Sequence, residues 1–297
     1  MDKRKNAKPD PHPRKASLTQ VILWMVLLAA LTVFAIPYLF MISNSLMRFT
    51  YSLPYPPRLL PDVVSLDAYV YILTKKNILL PFLNSVFIAC SATVAGMLVS
   101  SLSAYAFARI PFIGRRPLFR LYLFTLMIPG VLNIVPQFLL LKGLTLPGFP
   151  EGLTGTRLGL ILLYVGTGVC GNTFFLRGFF ASLPNELEES VVLDGGGHGT
   201  IFFHVMLPLS KPALGTLAIF SLQGYWEEFF SAKVVLGGNE RMLTMPIILQ
   251  RLHGEHATRW EWVFAASILM QVPILLLFVV FQKKYVVGGL SDGAVKG

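Results

Sequence analysis

Apolar runs long enough to cross a bilayer recur along this chain, and they leave it few ways to fold. They cover residues 21–41, 80–107, 118–141, 158–180, 213–236 and 260–281. A helix needs about 20 mostly apolar residues to span the hydrocarbon core, where every backbone amide must bond within its own segment. The runs therefore read as six transmembrane helices, and the fold class as an all-α polytopic membrane protein. Composition agrees. Only 13% of the 297 residues are charged and 54% are hydrophobic, whereas a soluble domain carries roughly a quarter charged residues.

The runs differ in detail. The second is long enough to tilt or to project beyond the bilayer. Pro129 and Pro136 interrupt the third, which predicts a kink or a break there. The first follows Lys3, Arg4, Lys5, Lys8, Arg14 and Lys15. Its apolar stretch is too long for a signal peptide and ends in no small-residue cleavage pattern, so it reads as a retained helix.

The net charge of +10 does not point to nucleic acid, because the basic residues flank apolar runs instead of interleaving with stacking aromatics. Placing the N-terminus in the cytoplasm puts fifteen of the 25 Lys and Arg residues inside, among them Arg109, Arg115, Arg116, Arg120, Arg177 and Lys211. This bias is that of the positive-inside rule and predicts cytoplasmic termini at both ends. No internal repeat or low-complexity tract is evident. The expected organisation is a basic tail (1–20), one transmembrane domain (21–285) containing a cytoplasmic loop (184–212), and a short cytoplasmic tail (286–297). The first outer loop, with Pro54, Pro56, Pro57 and Pro61, is too long for a simple turn.

Residues 184–212 read PNELEESVVLDGGGHGTIFFHVMLPLSKP. Pro184 and the acids Glu186, Glu188 and Glu189 suit the start of a short helix, where negative charge meets the helix dipole. Asp194-Gly195 suits its end, since glycine takes the left-handed conformation of a helix stop. A second short helix, near 200–207, then leads into Pro208 and Pro212, where the fifth run begins. Water cannot satisfy all of Leu187, Val191, Leu193, Phe202, Phe203 and Val205, so the projection calls for a protein partner.

Within this segment Glu189-Ser190-Val191, Asp194-Gly195-Gly196, Phe202, Leu207-Pro208-Leu209 and Pro212 fall at fixed spacing over 24 residues. The pattern resembles the shared loop of ABC importer permeases: Glu-Ala-Ala, two residues, Asp-Gly-Ala, a later Phe, then Leu-Pro-Leu-x-x-Pro. Asn84-Ser85, Ala104-Tyr105-Ala106 with Arg109, Met127-Ile128-Pro129, Pro136, Tyr225-Trp226-Glu227-Glu228-Phe229 and the Gly293-to-Gly297 ending extend the likeness along the chain. They are similar to the carbohydrate-uptake branch, which includes the smaller permease of the maltose transporter. Ser190, Val191 and Gly196 replace three alanines, and Glu227 stands where asparagine is common.

The resemblance implies the type I importer permease fold, in a bacterial or archaeal cytoplasmic membrane, with no enzymatic activity in this chain. It implies a second, non-identical permease, a cytoplasmic ATPase dimer that binds the ATP and Mg, and an extracytoplasmic solute-binding protein. The loop residues Glu189, Asp194, Gly195, Phe202, Leu207, Pro208 and Pro212 would couple to the ATPase, with Glu189 offering charge and Gly195 allowing close approach. Cargo would be a carbohydrate. An importer of another solute class, or an autonomous channel or carrier, stands as the alternative.

Other residues have plainer readings beside the functional one. Trp226, Glu227 and Glu228 either line a pathway or hold the helix end, with Glu228 the more structural. Asn84 and Asn172 read as interhelical glue. The run Gly195-Gly196-Gly197-His198-Gly199 lacks the Lys-Ser/Thr of a nucleotide loop. His253, Glu255 and His256 read as a polar outer loop without metal-ligand support. Cys90 and Cys170 read as small buried free thiols.

Overall fold

The structure, a computed structural model, describes residues 18–48, 59–253 and 259–281. The basic N-terminal tail, Pro54, Pro56 and Pro57, Glu255 and His256, and the C-terminal ending lie outside these residues. Among the described residues there is no β-strand, only an isolated bridge between Leu146 and Phe149. The helices are α1 (Leu18–Ser45), α2 (Asp67–Thr74), α3 (Leu79–Arg109), α4 (Arg115–Met127), α5 (Ile134–Gly143), α6 (Arg157–Ser182), α7 (Glu186–Leu193), α8 (His198–Thr200), α9 (Leu207–Leu209), α10 (Lys211–Glu227), α11 (Phe230–Leu236), α12 (Met245–Leu252) and α13 (Trp260–Phe281).

Four of these, α1, α3, α6 and α13, are each long and apolar enough to cross a membrane. The other two apolar runs are not single rods. The α4–α5 pair is bent by 100° around a 3-10 turn, Gly130–Asn133. Pro129 explains the break: a proline disfavours helical geometry in the residue before it, and Ile128 is extended (φ −84°, ψ 120°). Pro136 then sits in the first turn of α5, where the missing N–H costs nothing. Counting each bent pair as one span gives up to six.

The fifth run, expected as one helix over 213–236, is divided. Glu228 leaves the helix (φ −67°, ψ 120°), and its carboxylate accepts the N–H groups of Ser231 (2.8 Å) and Ala232 (2.9 Å). An acidic side chain placed so as to cap a new helix start satisfies donors that would otherwise be orphaned. The run restarts as α11.

The pair α3–α6 forms the spine. Ala92, Gly96, Ser100 and Ala104 recur every four residues along α3 and are buried, which lets neighbouring helices approach closely. One closely packed point is Tyr225 of α10. A Cβ on Gly168 would lie 2.3 Å from its hydroxyl, and one on Gly96 would lie 3.6 Å away. That hydroxyl donates to the Tyr164 carbonyl (3.1 Å), and the two tyrosine rings stack at 4.9 Å.

Apolar side chains gather at both ends of this spine. At the end that carries α7–α9, hereafter the loop end, Tyr105, Leu176, Phe180, Ile201, Phe202 and Met206 pack together. At the far end Ile88, Leu153, Leu160, Leu236 and Ile247 do so. There Asn84 donates to the carbonyls of Arg241 (3.0 Å) and Leu243 (2.9 Å) and accepts from Arg157 Nε (2.9 Å). It fastens a connecting loop as well as a helix. The Ser85 hydroxyl accepts from the Met245 N–H (2.8 Å), so the segment leading into α12 is drawn back onto α3.

The expectation that Cys90 and Cys170 are buried needs correction. Cys90 is exposed on α3 and Cys170 is half-buried. Apolar residues in a bilayer-spanning helix face lipid or partner as readily as protein, so hydropathy does not predict burial within the chain. In α1, likewise, only Ser43, Asn44 and Ser45 are buried.

Candidate functional site

The α7–α9 projection is assembled from short-range rules. Asn185 O accepts the N–H groups of Glu188 (2.9 Å) and Glu189 (3.1 Å), which starts α7 with three acids in its first turn. At the other end Gly195 is left-handed (φ +81°). Its N–H bonds Val192 O (3.0 Å), and the Gly196 N–H bonds Val191 O (2.8 Å). This double bond pattern is the Schellman stop. A Cβ on Gly195 would meet open space, whereas one on Gly196 would lie 2.5 Å from Val191 Cγ1. Close packing inside the loop therefore falls on Gly196, while Gly195 supplies the backbone turn and an open surface.

Beyond the stop, the expected second helix, near 200–207, spans α8, a π-helical turn (Ile201–Met206) and α9. The wider turn buries Ile201, Phe202 and Met206 and leaves Phe203 outward. A 74° bend then turns the chain into α10, whose first turn holds Pro212.

The loop is bolted to the bundle by Arg109, the last residue of α3. One guanidinium nitrogen donates to the Asn185 side-chain oxygen, and the other donates to the carbonyls of Phe180 (2.7 Å) and Leu183. Arg109 Nε lies 3.0 Å from the Glu188 carboxylate, with the two side chains only 8% and 18% exposed. One turn back, the Tyr105 hydroxyl shares a hydrogen bond with His198 Nδ1 (3.1 Å), and its ring packs against Phe202 at 5.3 Å.

The seven loop residues singled out in the sequence therefore divide. Phe202 is buried, and Leu207 and Pro212 are half-buried; Phe202 and Leu207 pack into the apolar cluster at the loop end. Glu189, Asp194, Gly195 and Pro208 are exposed. Around them stand Val192, Leu193 and Phe203, 59%, 87% and 61% exposed. A groove of about 610 Å³ runs between α7 and the end of α3, lined by Arg109, Glu188, Glu189, Leu193 and His198. The outcome is an acidic and apolar tip on a rigid base. In the sequence Arg109 reads as a topology marker and, with Tyr105, as part of the family likeness, while the anchoring roles of Arg109, Glu188, Tyr105 and His198 do not show. A basic residue at a helix C-terminus opposite the acids of α7 was the available clue.

In the α10 motif Trp226 is buried and donates Nε1 to Met270 O (2.9 Å). Glu228, besides its capping bonds, accepts from the Tyr164 hydroxyl (2.9 Å). Glu227 is exposed, accepts from Gln223 (3.2 Å), and lines a cleft of about 420 Å³ with Tyr38, Ser267 and Gln271. Asn172 donates to Ser221 across to α10 (3.4 Å). No group of three or more His, Cys, Asp or Glu residues placed to hold a metal occurs among the described residues.

Residues 92–286 match the model of one protein family, the binding-protein-dependent transport system inner membrane component. This chain belongs to that family. Among curated relatives, the diacetylchitobiose uptake system permease NgcG of Streptomyces coelicolor is 33% identical over 277 residues, covering 93% of this chain and 87% of the relative. The arabinooligosaccharide transport permease AraQ of Halalkalibacterium halodurans is 35% identical over 238 residues, covering 80% and 81%. Among solved structures, a chain of a bacterial ABC transporter that imports the acidic polysaccharide alginate shares the fold. Its TM-score is 0.76 at 22% identity, covering 92% of this chain and all of that one. A chain from an alginate ABC transporter bound to its pentasaccharide-loaded periplasmic protein aligns with TM-score 0.62 at 14% identity. The family places this chain in transport, among multi-pass membrane proteins.

Proposed function

We propose that this chain is one permease half of an ATP-driven carbohydrate importer, and that the α7–α9 tip is where a separate ATPase engages it. The observation that carries the reading is the division of labour in the loop. One face is clamped to α3 and α6, while the other offers Glu189, Asp194, Leu193 and Phe203 to the outside. Apolar side chains exposed on a braced projection are stabilised by a protein partner. Oligosaccharide transport by relatives covering most of the chain supports the cargo class.

In this reading each bent pair is one span, giving six, and both termini lie in the cytoplasm with the loop. Two ATPases bind ATP and Mg, and their closure draws this chain and a second, non-identical permease from inward-facing to outward-facing. A solute-binding protein then delivers cargo from outside. This chain contributes the pathway wall and the lever, and hydrolysis belongs to the partner.

The test is purification of the chain from its native membrane under gentle conditions, followed by subunit identification and an ATPase assay. Co-purification of an ATPase and a second permease, with hydrolysis stimulated by a sugar-loaded binding protein, is the expected result. Stimulation by a binding protein loaded with another solute would overturn the carbohydrate assignment alone. A chain that purifies without any nucleotide-hydrolysing partner would overturn the importer reading.

A further inference from the structure

We infer that Arg109 is the positioning residue that transmits movement of the loop to α3, and that Glu188, not its neighbour Glu189, is its working partner. The inference rests on the ATPase engagement proposed above and extends it inward. A docked loop does useful work only if the helices behind it follow. The chain between α6 and α7 is short, but α3 has no covalent link to the loop closer than the whole of α4 to α6. A side-chain connection must therefore carry force between them.

Arg109 has the geometry for this. Its guanidinium engages the carbonyls of Phe180, in the last turn of α6, and of Leu183 just beyond it, the Asn185 side chain at the start of α7, and the Glu188 carboxylate at once. A planar, permanently charged fork with several donors holds such an arrangement, and a lysine cannot reproduce it. The ion pair is nearly closed off from solvent, where charge pairing is screened little. Removing one partner leaves the other desolvated and alone. Glu188 and Glu189 both border the groove beside the end of α3, but Glu188 makes the ion pair with Arg109 while Glu189 stays exposed. Tyr105 meets His198 and Phe202 one turn away, which gives the same two bodies a second contact and prevents rotation about the first.

The experiment measures whether loop and α3 move as one. In the complex purified from its native membrane, with Cys90→Ser and Cys170→Ser, spin labels are placed at Glu186→Cys on α7 and Leu83→Cys on α3, both exposed positions. Distances are recorded without nucleotide and after trapping with MgATP and vanadate. With Arg109 intact, the distance should stay constant on trapping. In Arg109→Gln and in Glu188→Gln it should shift, because the loop follows the ATPase while α3 lags, and Arg109→Lys should behave like Arg109→Gln. Glu188→Gln keeps size and hydrogen-bonding capacity, so it separates lost transmission from misfolding. A constant distance in all variants, or a shift already present with Arg109 intact, would overturn the inference. So would loss of ATPase co-purification in Glu188→Gln, since that places the clamp in docking instead of transmission. Absence of any co-purifying ATPase from the unsubstituted chain would instead overturn the importer reading beneath it.

Discussion

At the residue scale, neighbouring residues of one type perform different work, and geometry decides which does what. Gly195 is needed for its left-handed backbone. A side chain there costs about 1–2 kcal/mol yet clashes with nothing in the chain. Gly195→Asp should therefore leave membrane expression near normal while cutting ATP-driven uptake at least roughly tenfold, the effect of about 1.4 kcal/mol on a docking equilibrium. Uptake in cells against immunoblot signal measures both. In the α10 motif, Glu228→Ala removes the cap of α11 and strands the Tyr164 hydroxyl, so it should destabilise the purified protein by about 1–2 kcal/mol. Glu227→Gln should change stability little, because Glu227 is exposed and bonded only to Gln223. Thermal unfolding in detergent distinguishes the two. Glycines on α6 split in the same way. Gly168→Ala drives a methyl into the Tyr225 hydroxyl and should lower the unfolding temperature, while Gly166→Ala meets open space and should not.

Among the elements, the breaks carry more meaning than the helices. The apolar runs were legible because hydropathy needs only local sequence. The break before α5 was legible as well, since Pro129 imposes it on Ile128 through covalent geometry. The interruption at Glu228 was not. It depends on a carboxylate folding back on two amides three and four residues ahead, and a glutamate in an apolar run has several other uses. Arg109 was hidden for a related reason: its partners lie 71 to 79 positions away along the chain, and as a basic residue at a helix end it already had an adequate explanation in topology. The loop pattern, by contrast, placed α7 and its glycine stop closely, because a Schellman turn is written in consecutive residues. What it did not reveal was which face of the loop turns inward, so Phe202 read like Phe203.

For the whole molecule, a chain with so much apolar surface outside its own core is built for surroundings of lipid and partners. In the most apolar 18-residue stretch of α1 no residue is buried, and in that of α13 only 11% are, while α3 and α6 form a tight spine. That distribution suits a subunit whose spine moves as a unit while its flanking helices meet lipid or another permease. A cysteine at Leu193 should be modified by an impermeant maleimide in inside-out vesicles stripped of the ATPase, and protected once the ATPase is restored. Modification from the outside of intact cells would reverse the assigned orientation. The most direct test of the central claim is the gentle purification of this chain from its native membrane with an assay of ATP hydrolysis. The account predicts an ATPase pair and a second permease in the complex, with hydrolysis raised by a sugar-loaded binding protein and lost to that stimulation in Gly195→Asp. A chain recovered alone, with no nucleotide-hydrolysing partner, would contradict it.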